Sequence, residues 1–310
     1  MGSPCDIRLY AEHAALAARA IAAACEEINR LEEKYSRFKS DNFFHQVNQA
    51  AASGGEILVD DEFASLLHFA DTCYQQSGGL FDVTSGVLRK AWKFTTEVIE
   101  TQDLPRAEEL QRLQSQTGWQ HVRWQAIAGN QHKLSFARKG MEIDFGGIVK
   151  EYAVDRAAAI CIEHGIQHGM VDLGGDIFAI GPHPQGEPWT VKIRHPRIAG
   201  EYFASIKLYQ GALASSGDYE RCVTINGERY CHILSPKTAY PVRGMASVSV
   251  VAPQCVLAGS ACTIAMLKEF AAPQWLQQLQ LPHVWMDVNQ HCGGLDRENS
   301  VSWHREQPAG

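Results

Sequence analysis

Three glycine-centred corners carry the residues of this chain that could do chemistry. DFGGIVK (144–150) runs from a predicted strand through two glycines directly into a predicted helix. Such a helix N-terminus offers backbone N–H groups and a partial positive charge to an anion, and Lys150 adds a second positive element. A plain tight turn between a strand and a helix is the alternative, because glycine suits that role equally well.

The other two corners place a carboxylate next to bare backbone. In DLGGDIFAIG (172–181), Gly174 and Gly175 separate two strand-like runs and precede Asp176, which could accept a hydrogen bond from a ribose hydroxyl or a base N–H. ALASSGDYER (212–221) runs from a strand into Ser-Gly-Asp. A β-bulge explains the first pattern and an ordinary turn explains the second, so neither corner identifies a ligand by itself.

Composition and missing motifs exclude several functions. The net charge of -7, with 20% charged residues, gives no basic surface for nucleic acid or anionic lipid, so small molecules or proteins are the expected partners. There is no Walker A or GxGxxG sequence, no HExxH or zinc-spaced Cys/His cluster, and no GxSxG elbow. Hydrolase and zinc-enzyme interpretations are therefore disfavoured.

Helices and strands that must position the corners can be predicted from periodicity. We predict helices over about 11–36, from Asp60-Asp61 to Gly78-Gly79, over about 105–116 after Asp103, over 148–165 with Gly165 as its stop, and over 256–267. Predicted strands are DIRLY, HVRW, KLSF, MEIDF, MVDL, DIFAI, WTVKIRH, FASIKLY, ERCVTI, RYCHIL and ASVSVVA. Asn226-Gly227 predicts a type I′ hairpin between ERCVTI and RYCHIL.

This order of elements predicts an α+β fold with mainly antiparallel sheet. With no repeat or linker to mark a boundary, we expect a single domain over 1–292 and a polar tail over 293–310. Nine scattered cysteines, no signal-peptide stretch and no apolar run near ~18 residues lead us to expect a cytoplasmic protein with no transmembrane segment.

Taken in order, the motifs resemble those of the ApbE family of FAD:protein FMN transferases, over nearly the whole chain to about residue 290. The resemblance is carried by SRFKSDN, GGLFDVTSG, EIDFGGIVKEYAVD, MVDLGGDIFAIG, ALASSGDYER, HILSPKTAYPV and the 256–267 helix VLAGSACTIAML. It implies an ApbE-like (T-fold-like) architecture and a magnesium-dependent enzyme. Such an enzyme splits FAD, attaches FMN through a phosphoester to a threonine or serine of an acceptor protein (protein flavinylation), and releases AMP.

The resemblance also implies site residues. It implies catalytic roles for Lys150, Asp176 and His232. It implies flavin-nucleotide binding by Phe38, Gly146, Gly147, Lys150, Gly174, Gly175, Asp176, Ser216, Gly217 and Asp218. Phe38 stands where the family often has an aromatic residue beside the flavin ring, with core packing at the end of the first helix as the alternative.

The implied magnesium site departs from the family pattern. Thr263 and the Val149 carbonyl match family ligands, but Gly259 stands where the family has a metal-binding aspartate, four residues before the threonine. FAD itself with Asp176, Asp172 or Asp144 could hold the ion, and Glu151, where the family commonly has glycine, could replace the lost ligand. Close helix packing at Gly259 and Ser260 is the alternative without a metal.

The segment HILSPKTA also departs from the family pattern, and two other functions compete with the transferase. In HILSPKTA, Ser235 replaces a family aspartate and Ala239 a family glycine. The rival to the transferase is a noncatalytic or weakly active FAD-binding protein that stores, delivers or slowly hydrolyses FAD, in which case Gly259→Asp should raise activity strongly. A minor third hypothesis makes AGSACT (258–263) itself a flavin acceptor.

Overall fold

A seven-stranded sheet lies at the centre of the fold, in a computed structural model that describes residues 4–92, 94 and 104–294. Every neighbouring pair of strands in it is antiparallel. In spatial order its strands are β1 (Cys5–Tyr10), β5 (His168–Leu173), β6 (Asp176–Gly181), β9 (Gly211–Gly217), β12 (Met245–Ala252), β13 (His283–Asp287) and β14 (Cys292–Gly294).

Seven α-helices lie in the described part of the chain. They are α1 (Ala14–Tyr35), α2 (Phe43–Ser53), α3 (Asp61–Ser77), α4 (Ala107–Gln114), α5 (Val149–Glu163), α6 (Cys255–Lys268) and α7 (Ala272–Leu279). Helices α5 and α6 pack on one face of the central sheet and against each other, and α1 packs on α5. The main core lies between these layers.

Smaller sheets complete the fold. They are the sheet of β2 (Glu56–Asp60), β4 (Gln131–Phe136) and β3 (Val122–Ala126), the pair β7 (Trp189–Arg194) and β8 (Tyr202–Leu208), and the pair β10 (Cys222–Ile225) and β11 (Glu228–Cys231). Alternate residues of a strand face opposite sides, so the central sheet has a second apolar face, which packs with residues of β7 and β8 in a separate core.

The α+β prediction is confirmed, and so are several local ones. Asn226 and Gly227 both have positive φ, 52° and 79°, and join paired strands as a type I′ turn requires. Gly165, with φ of 86°, follows the end of α5. Helix α6 covers the predicted 256–267 segment, whereas Asp103 and the chain from 295 lie outside the described residues.

One prediction of secondary structure was wrong, and one helix was not predicted. MEIDF forms no strand because the side chain of Asn48 takes the place of a neighbouring strand: its amide bonds both the N–H and the C=O of Ile143, at 2.8 and 3.1 Å. Asn48 lies in α2, a helix that the sequence reading missed. This helix begins after Asn42, whose side chain accepts a hydrogen bond from the His45 N–H at 2.8 Å.

The expectation that no run reaches the length of a membrane span was also wrong. Among the described residues, Cys255–Leu279 is long and apolar enough to cross a membrane by length and composition, and 67% of its apolar window is buried within the protein. Core helices of soluble proteins have the same character, so this segment is weak evidence for a membrane span.

Candidate functional site

The three glycine corners meet at one end of α5. Lys150, in the first turn of this helix, forms an ion pair of 2.6 Å with Asp176 at the start of β6. The other carboxylate oxygen of Asp176 accepts a hydrogen bond from the Ser215 N–H of β9 at 3.2 Å. Asp176 therefore links the three corners: it binds the Lys150 side chain of the first corner and the Ser215 backbone of the third.

The first corner is a strand-free turn held by charges. Asp144 accepts a hydrogen bond from the Gly146 N–H at 2.9 Å and pairs with Arg37 at 2.7 Å and Arg89 at 3.1 Å. Burial opposes the charge of Asp144, but the two arginines outweigh it and lower the pKa of the carboxyl. A Cβ added at Gly146 would lie 3.2 Å from Arg37 Nη1, so glycine lets the guanidinium come close to the backbone.

The second corner is a two-residue hairpin rather than a bulge. Gly174 and Gly175 have φ of 67° and 92° and connect the paired residues Leu173 and Asp176. Asp172 fixes the turn by accepting a hydrogen bond from the Gly175 N–H at 2.7 Å. The turn therefore projects Asp176 from the first position of β6, where 2% of the residue remains exposed.

The third corner is the end of β9. Ser216 and Gly217 pair with β12, and the Asp218 carboxylate is bound by both terminal nitrogens of Arg197 at 2.7 Å each. Because this bidentate pair occupies both carboxylate oxygens, Asp218 anchors the loop before β8 in the structure. Its predicted role in binding a nucleotide stays a prediction.

Helices α5 and α6 run antiparallel in a register that can be followed residue by residue. The Asp155 carboxylate accepts hydrogen bonds from the Cys255 and Val256 N–H groups, at 2.6 and 2.9 Å, and so caps the start of α6. Glu151 lies one turn before Asp155 on α5, and Gly259 lies one turn after Cys255 on α6. These two residues are in contact. A Cβ added at Gly259 would meet Glu151 Cγ at 2.5 Å and Cδ at 3.0 Å.

The next turn brings two of the predicted residues together. A Cβ added at Gly147 would lie 3.7 Å from the Thr263 hydroxyl oxygen and 3.6 Å from the ring of Phe81. Thr263 therefore faces the glycine turn, as the resemblance implies. Val149 is buried at the first position of α5, close to the same turn.

Glu151 is in an unfavourable position for a charge. It is 6% exposed, and its Oε2 atom has no hydrogen-bond partner among the described residues. Burial, followed by repulsion from Asp176, raises the pKa of Glu151 to about 8, although Lys150 partly opposes the shift. Lys150 itself is held charged: burial disfavours the ammonium, but Asp176 and Glu151 together raise its pKa.

His232 lies in a positive environment. Its backbone N–H bonds the Arg221 carbonyl at 2.9 Å, while its buried Nδ1 atom has no partner among the described residues. Burial, then the charges of Arg221, Arg37 and Lys150, lower the pKa of His232 to about 4. The imidazole is therefore neutral at pH 7. The three nearby cations form a group suited to an anionic ligand.

Phe38 is 77% exposed and stacks on the Arg37 guanidinium, 4.9 Å from its ring centre. The core-packing alternative for this residue was therefore wrong. An exposed aromatic ring next to a partly buried guanidinium is suited to stacking on a planar ligand.

Sequence reasoning missed the arginines of the site. Arg37 and Arg221 stood beside Phe38 in SRFKSDN and at the end of ALASSGDYER, so a search for basic residues flanking the glycine corners would have found them. Ala239, at the family's glycine position, has φ of 59°, a left-handed conformation that glycine adopts more easily.

The residues present fit a divalent cation bound mainly through oxygen. No cluster of three or more His, Cys, Asp or Glu side chains suited to a metal occurs within residues 4–92, 94 and 104–294. The Glu151 and Asp176 carboxylates nevertheless lie close enough to repel each other, and Glu151 Oε2 lacks a hydrogen-bond partner. The Thr263 hydroxyl faces the neighbouring Gly147 turn, one helical turn along α6 from Gly259. Magnesium commonly uses one or two carboxylates and takes its other ligands from water and phosphate.

Two surface cavities lie outside this cluster. One, of about 450 Å³, is lined by residues that include His68, Trp119 and Trp124, and the other, of about 490 Å³, by residues that include Tyr230 and Tyr240. Neither is lined by Lys150 or Asp176. We place the candidate site at the glycine corners because the charges and the unpartnered polar atoms converge there.

Comparisons with known proteins identify a family for this chain. A family model described as the ApbE family matches residues 1–285. The FAD:protein FMN transferase of Haemophilus influenzae is 32% identical over 248 residues, covering 78% of this chain and 70% of that protein. The enzyme of the same name from Treponema pallidum is 28% identical over 296 residues, covering 87% and 80%. The crystal structure of the ApbE protein of Thermotoga maritima matches with a TM-score of 0.82 at 28% identity, covering 94% of each chain.

Proposed function

Because the chain belongs to the ApbE family, we propose that it transfers FMN from FAD to a threonine or serine of an acceptor protein. The acceptor oxygen forms a phosphoester with FMN, and AMP is released. The observation that carries this proposal is the convergence of three glycine corners on one group of cations, which provides turns without side chains and positive charge for a dinucleotide pyrophosphate.

Different residues of the chain bind different parts of the FAD molecule. Phe38 offers its exposed ring to the isoalloxazine system. Lys150, Arg37 and Arg221 surround His232 and neutralise the pyrophosphate. Gly146 and Gly147 place no side chain in the turn before α5, and a Cβ added at Gly175 of the hairpin would meet nothing within 4 Å, so both turns leave room for phosphate oxygens and the remaining polar groups of FAD.

The reaction is a substitution at the FMN phosphorus. The acceptor hydroxyl oxygen forms a bond to this phosphorus while the bond to the bridging oxygen breaks, and AMP leaves with that oxygen and its electron pair. The hydroxyl proton passes to His232, which is neutral at pH 7 and has a free ring position at Nδ1. Lys150, held in place by Asp176, offsets the charge that develops on the departing phosphate.

Magnesium, when bound, would neutralise phosphate oxygens and orient the pyrophosphate for attack. Thr263, the Val149 carbonyl and the carboxylates beside them would hold it. Gly259 supplies no side-chain ligand. This absence is the observation that favours the second candidate, a protein that binds FAD and cleaves it weakly or not at all.

Product analysis distinguishes the two functions. We would incubate the purified chain with FAD and a threonine-bearing flavinylation peptide, with magnesium or with EDTA, and separate the products by liquid chromatography and mass spectrometry. The transferase yields AMP and FMN-peptide in a magnesium-dependent manner. Intact FAD after long incubation, with and without the peptide, contradicts the transferase and supports the binding protein.

A further inference from the structure

Two buried carboxylate oxygens of the site accept no hydrogen bond among the described residues, Glu151 Oε2 and Asp176 Oδ2, but Asp176 Oδ2 has an ion pair of 2.6 Å with Lys150. Glu151 Oε2 is the one left without a partner among the residues that the structure describes. The half-buried Glu62, by contrast, accepts hydrogen bonds from Arg30, Lys34 and Tyr35. A buried carboxylate without such partners is costly, so its retention indicates that something positive occupies its open side.

Three neighbours restrict what that positive group can be. Lys150 is already paired with Asp176, and Asp176 adds negative charge next to Glu151. Thr263 supplies a hydroxyl oxygen one helical turn beyond Gly259. A small hard cation is attracted by two adjacent carboxylates and accepts a hydroxyl as a further ligand, so this set of donors favours a divalent metal ion.

The Glu151 side chain packs directly against Gly259, and this contact fixes the position of its carboxylate. The Glu151 side chain fills the volume that a side chain at position 259 would need, because the added Cβ would lie 2.5 Å from its Cγ. Position 259 can therefore be occupied only by glycine while Glu151 keeps this conformation. The two residues form one complementary pair across the α5–α6 interface.

We propose that Glu151 is a ligand of the divalent cation, and that the metal-binding carboxylate of this chain stands on α5, in the space that Gly259 leaves on α6. The proposal rests on the proposed function only in taking the cation to be the one that assists FAD cleavage. That Glu151 is the ligand, and that Gly259 makes room for it, does not depend on FAD cleavage.

Binding of Mn²⁺ tests the proposal without reference to turnover. The intact wild-type chain and its Glu151→Gln variant would be titrated with Mn²⁺ and followed by electron paramagnetic resonance, alone and with FAD. Glutamine keeps the shape of the side chain and removes the charge. We expect the variant to bind Mn²⁺ about tenfold or more weakly, whereas Glu163→Gln, at the exposed end of the same helix, should leave the affinity unchanged.

A carboxylate swap gives an independent outcome if Glu151→Gln folds poorly. The double variant Glu151→Ala with Gly259→Asp returns the carboxylate to α6 and removes the collision. It should bind Mn²⁺ within about threefold of wild type, whereas Glu151→Ala alone should show the loss seen for glutamine. Thermal unfolding and FAD fluorescence in EDTA check that each variant is folded and binds flavin.

The failures of this proposal and of the transferase are distinguishable. Equal Mn²⁺ affinity for wild type and a folded Glu151→Gln variant, or no Mn²⁺ binding by wild type even with FAD, overturns the ligand assignment. In that case Glu151 acts as a protonated hydrogen-bond partner of Asp176. Conversely, a Glu151-dependent Mn²⁺ site on a chain that never cleaves FAD leaves the assignment standing and contradicts the transferase.

Discussion

Gly259→Ala should be unfavourable in the wild-type chain and favourable once Glu151 is shortened. Replacing glycine by alanine inside a helix normally stabilises a protein by about 1 kcal/mol. Here the new methyl group would lie 2.5 Å from Glu151 Cγ and 3.1 Å from Oε1. Overpacking in a buried position costs about 1–3 kcal/mol, so the net effect should be between about 0 and 2 kcal/mol of destabilisation.

A double-mutant cycle measures this collision. In the Glu151→Ala background the atoms that collide are gone, and Gly259→Ala should then recover its stabilisation of about 1 kcal/mol. The coupling free energy between the two positions is therefore expected to be about 1–3 kcal/mol. The assay is urea denaturation of the four proteins in EDTA, followed by circular dichroism and tryptophan fluorescence.

Ser260→Ala serves as the matched control for the cycle. Ser260 is the next residue of α6 and is also buried, but its hydroxyl bonds the Leu257 carbonyl within the helix. Its replacement should change the unfolding free energy equally in both backgrounds. The packing argument is refuted if Gly259→Ala stabilises wild type and Glu151→Ala by the same amount, within about 0.5 kcal/mol.

Three further predictions concern the flavin, the central ion pair and the histidine. Phe38→Ala should weaken FAD binding by about 1–3 kcal/mol, measured by fluorescence titration, and should leave the unfolding free energy within about 0.5 kcal/mol, because the ring is 77% exposed. Lys150→Met leaves the buried carboxylate of Asp176 without its ion-pair partner. The free energy of unfolding should therefore fall by about 3 kcal/mol and the rate of FAD cleavage by about 100-fold. An unchanged urea midpoint would contradict the ion-pair assignment. The pKa of His232 is about 4 in the folded protein, against an ordinary value of 6.5. As the pH falls from 6.5 to 4, the unfolded state therefore binds the proton first and the folded state loses stability. Above pH 6.5, His232 makes the stability no more dependent on pH. His232→Phe should therefore lose less stability than wild type between pH 7 and pH 5, and identical losses would contradict this pKa assignment.

Local signals in the sequence predicted the elements that depend on them. Asn226-Gly227 and Gly165 stand at positions of positive φ, which few other residues adopt, so turn and helix end could be predicted from residue type. MEIDF was predicted wrongly because its alternation resembles a strand, while its partner is the Asn48 side chain, 95 residues away. No local pattern reveals such a contact.

The candidate site was predictable as a set of motifs but not as a set of contacts. Glycines and Lys150 could be found from their order in the chain, and Glu151 could be identified as a departure from the family pattern. Its packing against Gly259 depends on the register of α5 and α6, which are separated by about one hundred residues. In the same way, the pairing of Asp218 with Arg197 depends on tertiary structure that residue types do not determine.

Intact-protein mass spectrometry of an acceptor would decide whether this chain is a flavin transferase. A folded acceptor with a single flavinylation threonine would be incubated with the chain, magnesium and either FAD or FMN, beside the same acceptor with that threonine changed to alanine. The proposed reaction predicts one added FMN on the threonine protein with FAD as donor, one AMP released for each FMN attached, and no addition from FMN or to the alanine variant. AMP release without any mass increase on the acceptor, or an equal increase on the alanine variant, would contradict it.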